Sequence, residues 1–212
     1  EMSREKLRVG LLLDSTFVPA WAFEMINQIQ QGDYANVKLL VVNNTEPKKV
    51  NRTLFEKIKN NKSRIGYLAI RKVLEVLYDK LIDRTSSLPN ANEQMDLYAC
   101  LPVEVKRIDV KPEMKLHSDY FPQDKLERIK EQKVDVLIRL GFRILRGGIL
   151  DVAKYGVWSF HHGDNKVNRG GPAGYWESMQ SWPETGSILQ ILSEDLDNGQ
   201  VLYRSYSSTK QF

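Results

Sequence analysis

Two side chains at the end of an apolar run could share one chemical task. The run Gly156 to Phe160 (GVWSF) is typical of a β-strand, and His161 follows it directly. Because successive side chains of a strand point to opposite faces, Ser159 and His161 share one face. An imidazole titrates near neutral pH and a hydroxyl donates hydrogen bonds, so the pair suits general acid–base catalysis. A surface histidine at a strand end gives the same pattern.

An acidic turn further along the chain could supply a carboxylate to this histidine. The segment Ser193 to Gly199 (SEDLDNG) joins two apolar runs and contains Asp197 near its tip. Such a segment is typical of a hairpin turn, and turn formation alone explains its composition. Paired with His161, Asp197 would orient the imidazole and stabilise its charge, as a catalytic histidine requires.

Several other functional motifs are missing from the sequence. Neither a G-x-G-x-x-G fingerprint after the first apolar run nor a G-x-x-x-x-G-K-[ST] loop occurs, which argues against a nicotinamide dehydrogenase and a P-loop enzyme. Cys100 is the only cysteine, so no internal disulfide and no thiolate zinc site can form. We therefore expect no metal site, and we expect His117, in a polar stretch, at the surface.

The elements that must position these residues alternate between strand and helix. Strand patterns are predicted at residues 7–14, 37–43, 103–110, 134–140, 156–160, 188–192 and 201–207. Helical patterns are predicted at residues 20–31, 54–82, 123–131 and 148–153. This alternation predicts an α/β fold, a Rossmann-like open sheet of mostly parallel strands with flanking helices. In such sheets chemistry gathers beyond the carboxyl ends of the strands, where His161 is expected.

We expect one domain over residues 1–212. Thr85 to Leu101 is polar and rich in turn-forming residues, and an irregular stretch of this length is uncommon inside a domain. We interpret it as an active-site flap or an insertion. Because the sequence stops at Phe212 without a natural end signal, we expect that C-terminal residues are missing.

The positive charge of the chain is concentrated in one segment. The net charge is +4, yet Lys48 to Arg84 holds 11 Lys and Arg residues against 4 Asp and Glu residues. This basic segment suits an anionic partner, and it equally suits a solvated helix face. No run of 18 apolar residues and no signal-peptide pattern occurs, so we expect a cytoplasmic protein without a membrane span.

Four short motifs resemble the folate-dependent formyltransferase family. This family includes the methionyl-tRNA, glycinamide ribonucleotide and sugar N-formyltransferases, and its signature is Asn-x-His at a strand end, then Arg-Gly or Lys-Gly, Thr-Gly and Asp-x-Gly. Here His161, Arg169-Gly170, Thr185-Gly186 and Asp197-x-Gly199 follow in that order at matching separations. Upstream, Leu140 to Leu145 (LGFRIL) is similar to the family segment that lines the pterin pocket.

The resemblance implies a formyltransferase-like fold and an enzyme that transfers a formyl group from 10-formyltetrahydrofolate to a primary amine. It implies catalytic roles for His161, Asp197 and Ser159. Ser159 stands where the family has an asparagine that donates a hydrogen bond to the formyl oxygen. A serine hydroxyl also donates, but it is shorter and rotates freely, so Asn165 and Asn168 are candidates to supply the missing amide.

The resemblance also separates the donor side from the acceptor side. Five residues are assigned to the folate donor: Leu140, Phe142, Ile144, Leu145 and Asp195. Arg169 and Asn165 are assigned to the acceptor. An amino sugar, free or nucleotide-linked, or another small amine is the first choice of acceptor. A tRNA comes second, because the tRNA enzyme of the family has a separate C-terminal domain that this sequence does not show.

Two further functions stay open at this point. Water could replace the amine, which would make the protein a hydrolase of the formyl donor. Alternatively, Ser159 could mark a lost catalytic site in a module that only binds folate or an anionic partner.

Overall fold

The apolar runs of the sequence form the strands of an α/β fold. The computed structural model of the chain describes residues 5–46, 66, 70, 72–74, 76–77, 90–167, 174–195 and 199–209. The strands are β1 (Leu7–Leu13), β2 (Phe17–Pro19), β3 (Ala35–Asn43), β4 (Gln94–Asp96), β5 (Lys106–Val110), β6 (Glu113–Lys115), β7 (Ser118–Tyr120), β8 (Val136–Arg139), β9 (Ile144–Arg146), β10 (Val157–His162), β11 (Glu184–Ile191) and β12 (Gln200–Ser208). The α-helices are α1 (Ala20–Gln31), α2 (Gln123–Lys130) and α3 (Tyr175–Met179), and 3₁₀ turns cover Leu97–Ala99 and Gly147–Asp151.

The main sheet is mostly parallel. Within the described residues it has seven strands in the order β12-β11-β10-β8-β1-β3-β5. The five strands from β10 to β5 pair in parallel, and β11 and β12 add an antiparallel hairpin at the edge next to β10. Two small sheets, β2-β4 and β6-β7-β9, complete the described strands. This architecture confirms the predicted open, mostly parallel sheet with flanking helices.

Both faces of the central strands are buried, which explains their almost continuous apolar sequence. On β1, Leu12 faces one core cluster while Leu11 and Leu13 face the other. The first cluster also takes Ile129 of α2, and the second takes Ile26 of α1. The two helices therefore cover opposite faces of the sheet. No helix in the described ranges is long and apolar enough to cross a membrane.

The structure describes most of the polar segment 85–101 but very little of the basic segment Lys48 to Arg84. Within 85–101, residues 90–101 are described, and they contain β4 and a 3₁₀ turn whose Leu97 is fully buried. This part is thus ordered, because one buried leucine and a strand pairing with β2 outweigh a polar composition. The basic segment Lys48 to Arg84 lies almost entirely outside the described residues, and its few described positions are helical.

The chain divides into two compact units. Glu1–Thr45 and Glu93–Phe212 form the first, and Glu46–Asn92 form the second. The sheet and all the candidate site residues belong to the first unit. The assignment of residues 1–212 to one domain with a flap or insertion stays a prediction.

An ion pair with a buried carboxylate ties β7 to the turn between β8 and β9. Asp119 is only 1% exposed and accepts hydrogen bonds from the Arg143 main-chain nitrogen at 2.8 Å and from its Nε at 2.8 Å. Nη2 of Arg143 lies 2.7 Å from the same carboxylate. Arg143 also donates to the carbonyl oxygens of Leu116 and Ser118. The arginine therefore fixes the turn that precedes β9.

We predict that Asp119→Ala lowers the free energy of unfolding by about 3 kcal/mol, because it leaves a hydrogen-bonded, partly buried guanidinium without its anion. The matched control is Asp109→Ala, which breaks a pair with Arg107 in which both side chains are nearly half exposed. This control should cost less than about 1 kcal/mol. Urea unfolding monitored by circular dichroism measures both values, and equal losses would contradict the role given to Asp119.

Candidate active site

His161 lies at a carboxyl end of the sheet where, among the described strands, no parallel strand continues beside it. Strand β8 ends at Arg139, which lies opposite Ser159 of β10. Strand β10 runs on to His162, and there only β11 accompanies it, with His161 opposite Ile188. His161 is partly exposed and Ser159 is buried, with 3% of its surface accessible. This is the position at which open α/β sheets bind ligands.

Three polar side chains cross the sheet in one row below His161. Arg139 of β8, Ser159 of β10 and Gln190 of β11 occupy directly opposite positions on neighbouring strands. Directly opposite residues of a sheet lie on the same face, so the three side chains are neighbours. Nη1 of Arg139 donates to Oγ of Ser159 at 3.3 Å, and that hydroxyl donates to the Phe160 carbonyl at 3.3 Å. Gln190 is only 7% exposed.

A cleft with a cavity volume of about 180 Å³ opens over this polar row. It is lined by both polar and apolar side chains: Arg139, Ile144, Leu145, Arg146, Ser159, Phe160, His161, Gln190, Leu192, Ser193, Asp195 and Gly199. The row and His161 belong to strands β8, β10 and β11. One wall comes from β9 and the other from the segment that joins β11 to β12. The cleft thus combines apolar surface with a few directed polar groups, as small-molecule sites do.

The wall around β9 is held against the ends of β8 and β1. Nη2 of Arg139 donates to the carbonyl oxygens of Phe142 and Arg143, each at 2.9 Å, and its Nε donates to the latter at 3.2 Å. Gly141 packs so tightly that a Cβ there would overlap the Asp14 main-chain nitrogen. The Asp14 carboxylate also accepts from the Phe142 main-chain nitrogen at 2.9 Å. The chain therefore turns sharply after β8 and leaves the cleft open.

The four apolar residues assigned to the folate donor take two different environments. Ile144 and Leu145 line the cleft. Leu140 packs against the core cluster on the α1 side, and Phe142 is buried in the other cluster with its ring 4.9 Å from that of Phe121. Ile144 and Leu145 thus form the surface of the wall, Phe142 packs in the same core cluster as Leu145, and Leu140 packs against the cluster on the other face of the sheet. Their binding roles stay predictions.

The opposite wall is linked to the first one by Glu194. Its Oε1 accepts from the Gly147 main-chain nitrogen at 2.6 Å, and its Oε2 lies 3.6 Å from Nη1 of Arg146. Asp195 and Gly199 of the acidic turn line the cleft on this side. Asp197, the predicted partner of His161, lies outside the described residues. The contact between its carboxylate and the His161 imidazole therefore stays a prediction.

The loop after β10 is anchored away from the cleft. The Asp164 carboxylate accepts from Nη1 of Arg204 at 2.7 Å and from the Tyr206 hydroxyl at 2.9 Å, both on β12. A hydrogen bond from the Lys166 main-chain nitrogen, with help from Tyr206 and Arg204, lowers the pKa of Asp164. Oδ1 of Asn165 accepts from Nη1 of Arg204 at 2.7 Å. The Asn165 side chain is thus oriented toward β12 and does not line the cleft beside Ser159.

The other acceptor-side candidates, Arg169 and Asn168, lie outside the described residues. No cluster of three or more His, Cys, Asp or Glu side chains suited to a metal ion occurs within the described part of the chain. His162, next to His161, is exposed and lines a separate depression formed with β11 and β12. The two neighbouring histidines therefore face different surroundings.

Arg139 and Gln190 of the cleft floor have no counterpart in the sequence prediction, and neither does Glu194, which links the two walls. Arg139 and Gln190 each interrupt an apolar strand, VDVLIRL and ILQIL, and this interruption was the available signal. A charged or amide side chain within or at the end of a buried strand needs a partner or a ligand. Glu194 carried no comparable signal, because an acidic residue in a turn is ordinary.

We predict that Gly199→Ala shifts the cleft wall formed by the segment that joins β11 to β12, to which Asp195 belongs. A Cβ at this position would collide with the Ile191 carbonyl oxygen and lie 3.1 Å from Oε1 of Gln190, so the turn must shift. We expect a loss of about 1–3 kcal/mol in the free energy of unfolding. Urea unfolding measures it, and Gly148→Ala is the control because its nearest neighbour is the flexible end of Leu126. An unchanged stability of Gly199→Ala would show that the turn does not need a glycine.

Comparisons with known proteins give a partial sequence match and several solved structures of similar fold. No protein-family profile matches the chain. The methionyl-tRNA formyltransferase of Prochlorococcus marinus is 33% identical over 76 residues, which are 35% of this chain and 22% of that protein. The match thus spans less than a quarter of the curated relative.

Solved structures of similar fold cover nearly the whole chain. Glycinamide ribonucleotide transformylase 1 from Symbiobacterium toebii superposes with a TM-score of 0.55 at 11% identity, over 100% of this chain and 80% of that one. The corresponding enzyme from Geobacillus kaustophilus gives 0.52 at 14% identity, over 96% and 84%. A formyltetrahydrofolate deformylase from Pseudomonas syringae gives 0.53 at 11% identity, over 97% of this chain and 52% of that one. The chain has the formyltransferase-like fold and resembles the folate-dependent formyltransferase family.

Proposed function

We propose that this protein is an enzyme that transfers a formyl group from 10-formyltetrahydrofolate to a primary amine. One observation carries the proposal. Ser159 and His161 line the same cleft as Asp195 and Gly199 of the acidic turn, although more than 30 residues separate the two segments in the sequence. Of the motifs that suggested the family, His161 and Gly199 line this cleft at a carboxyl end of the sheet, which supports the proposal, while Thr185 and Gly186 line a separate depression.

The cleft fits the folate donor by its chemistry. Ile144, Leu145 and Leu192 offer apolar surface to a flat ring, and Ser193 and Asp195 offer polar groups to its edge. When bound, the donor supplies a formyl group whose carbon accepts a nucleophile. The residues that line the cleft therefore suit two tasks. They would bind the folate ring, and they would leave its formyl group accessible to the attacking amine. Phe142, which packs in the same core cluster as Leu145, supports this wall, whereas Leu140 packs on the other face of the sheet.

The chain's own residues have proton and positioning roles in this reaction. In the overall reaction the amine nitrogen of the acceptor loses one proton and forms a bond to the formyl carbon. The bond between that carbon and the folate nitrogen breaks, and the folate nitrogen takes up a proton. His161 is the residue that carries this proton, and Asp197 orients its imidazole. Ser159 contributes a hydroxyl that would turn from the Phe160 carbonyl and donate to the reacting oxygen. Arg169 and Asn165 belong to the acceptor side, where Asn165 acts through its contact with Arg204.

An amino sugar, free or nucleotide-linked, is the acceptor that we propose first. The basic segment would suit the phosphates of a nucleotide-linked sugar. The relatives named above act on different acceptors by their names, so the family does not decide this point. The proposal includes a cytoplasmic location, as the sequence predicts.

We predict that the purified protein, supplied with 10-formyltetrahydrofolate and a panel of amines, releases tetrahydrofolate with one class of amine. His161→Gln should lower this rate by at least about 100-fold, because proton transfer by a positioned side chain contributes that much or more. His162→Gln is the matched control, since this neighbour lines a different depression, and it should retain activity. Full turnover by His161→Gln would contradict the mechanism.

The same assay separates the alternative functions. Tetrahydrofolate release that does not depend on any amine would identify a hydrolase. Saturable folate binding without turnover under all conditions would identify a binding module with a lost site. Each of these outcomes would contradict formyl transfer.

A tRNA acceptor is tested by salt. We predict that tRNA binding is weak at 0.15 M salt, because the proposed acceptor is a small amine. A tRNA enzyme would bind tRNA tightly at low salt, with an affinity that falls steeply as salt is raised through release of counterions. A filter-binding titration between about 0.05 and 0.3 M salt, a range over which exposed charges become increasingly screened, distinguishes a small-amine enzyme from a tRNA enzyme.

A further inference from the structure

The Arg139 guanidinium is oriented by the protein in an unusual way. Nε and Nη2 donate only to the main-chain carbonyls of Phe142 and Arg143, and Nη1 donates to the Ser159 hydroxyl. A guanidinium has five N–H donors, and these contacts engage four of them. Among the described residues the remaining Nη1 donor has no protein partner, and Arg139 lines the cleft. The side chain is thus fixed on one edge and available on the other.

The charge of this guanidinium has no anion in direct contact within the described ranges. Asp119 is engaged by Arg143, and Asp14 is engaged by Asn43 and the Phe142 main chain. Burial lowers the pKa of Arg139, and the negative charges of Asp14 and Asp119 act against this effect from a distance. A buried cation is costly unless it is paired. An anion in the cleft would complete the pair.

Gln190 extends the same arrangement on the other side of Ser159. Its side chain is buried, lines the cleft and lies directly across the strand pair from Ser159. The row therefore presents a guanidinium, a hydroxyl and an amide to one region of the cleft floor. All three groups can donate hydrogen bonds.

We infer that Arg139, Ser159 and Gln190 together form a binding site for a negatively charged oxygen. The ligand class is a small planar carboxylate, or a carbonyl oxygen that gains negative charge during a reaction. The second case rests on the proposed function, in which the formyl oxygen gains charge when the amine attacks. Arg139 then supplies the hydrogen bond that the family obtains from the asparagine absent at Ser159. A charged donor compensates for the poorer aim of the serine hydroxyl.

A purely structural role for Arg139 is the competing explanation. In that case Arg139 would serve only to fix the turn, through its hydrogen bonds to the carbonyls of Phe142 and Arg143. Removing it would then lower stability without changing the affinity of the cleft for anions. Binding of an anion is therefore the measurement that separates the two roles.

The first arm of the test uses formate and needs no folate. Formate is titrated into the wild-type protein while ¹⁵N–¹H NMR follows the main-chain amides of Ser159, Phe160 and His161. We expect saturable shifts centred on these amides. In Arg139→Met the affinity should fall at least about tenfold, because a hydrogen bond to a charged group contributes about 1.5–3 kcal/mol. Arg107→Met removes the same charge from an exposed strand and should change the affinity less than about twofold.

A second variant covers the case in which Arg139→Met does not fold. Gln190→Met keeps the size of the side chain on a different strand, and we expect it to weaken formate binding several-fold. Thermal unfolding of each variant checks its folding. No saturable binding of formate to the wild-type protein, or equal affinities in the wild type and the folded variants of the row, would overturn the inference.

The second arm tests the reacting oxygen. If the wild-type protein transfers formyl groups, Arg139→Met should lower kcat by about 100-fold with a much smaller change in KM for the donor. Arg139→Lys, which keeps the charge, should recover part of this loss. An unchanged kcat would overturn the role of Arg139 in the reaction. If no amine supports transfer by the wild type, the proposed function fails, while the formate titration still decides whether the anion site exists.

Discussion

The length of one strand governs the whole site. Strand β8 stops at Arg139, while its neighbour β10 continues to His162, and the chain leaves β8 through a turn packed against the end of β1. The space that a longer β8 would fill becomes the cleft. Its wall is set by the same turn, because Arg139 and the Arg143–Asp119 pair fix the main chain before β9. The position of the site is thus a consequence of sheet geometry and of the few bonds that hold one turn.

Polar groups inside the sheet give this site its specificity at some cost in stability. Arg139 and Gln190 lie two positions after Leu137 and Ile188, which are buried core residues on the same faces of these strands. Apolar residues there would pack without the desolvation penalty of a charge and an amide. Residues that break a local rule in this way cluster at functional sites. Packing alone therefore does not explain the row.

The sequence predicted the sheet and the position of His161 well, because both depend on short-range patterns. Alternation of side chains placed Ser159 and His161 on one face, and apolar runs located the central strands. The sequence did not predict that Arg139 and Gln190 lie beside Ser159. Their position relative to it depends on which strands become neighbours, and strand order is not a local property of the sequence. The short strand β4 was missed because a single buried residue, Leu97, fixes a segment whose composition is polar. Asn165 was placed on the acceptor side by its position in the loop, and only the structure could reveal its contact with Arg204.

A crystal structure with a bound, non-reactive analogue of 10-formyltetrahydrofolate would test the central claim most directly. The account predicts that the ring lies between Ile144 and Leu145 on one wall and Ser193 and Asp195 on the other. It predicts that the oxygen of the formyl group, or of its substitute, lies within hydrogen-bond distance of Nη1 of Arg139 or Oγ of Ser159, with His161 beside it. An analogue bound outside this cleft, or bound in the cleft with its formyl end directed away from Ser159 and His161, would contradict it.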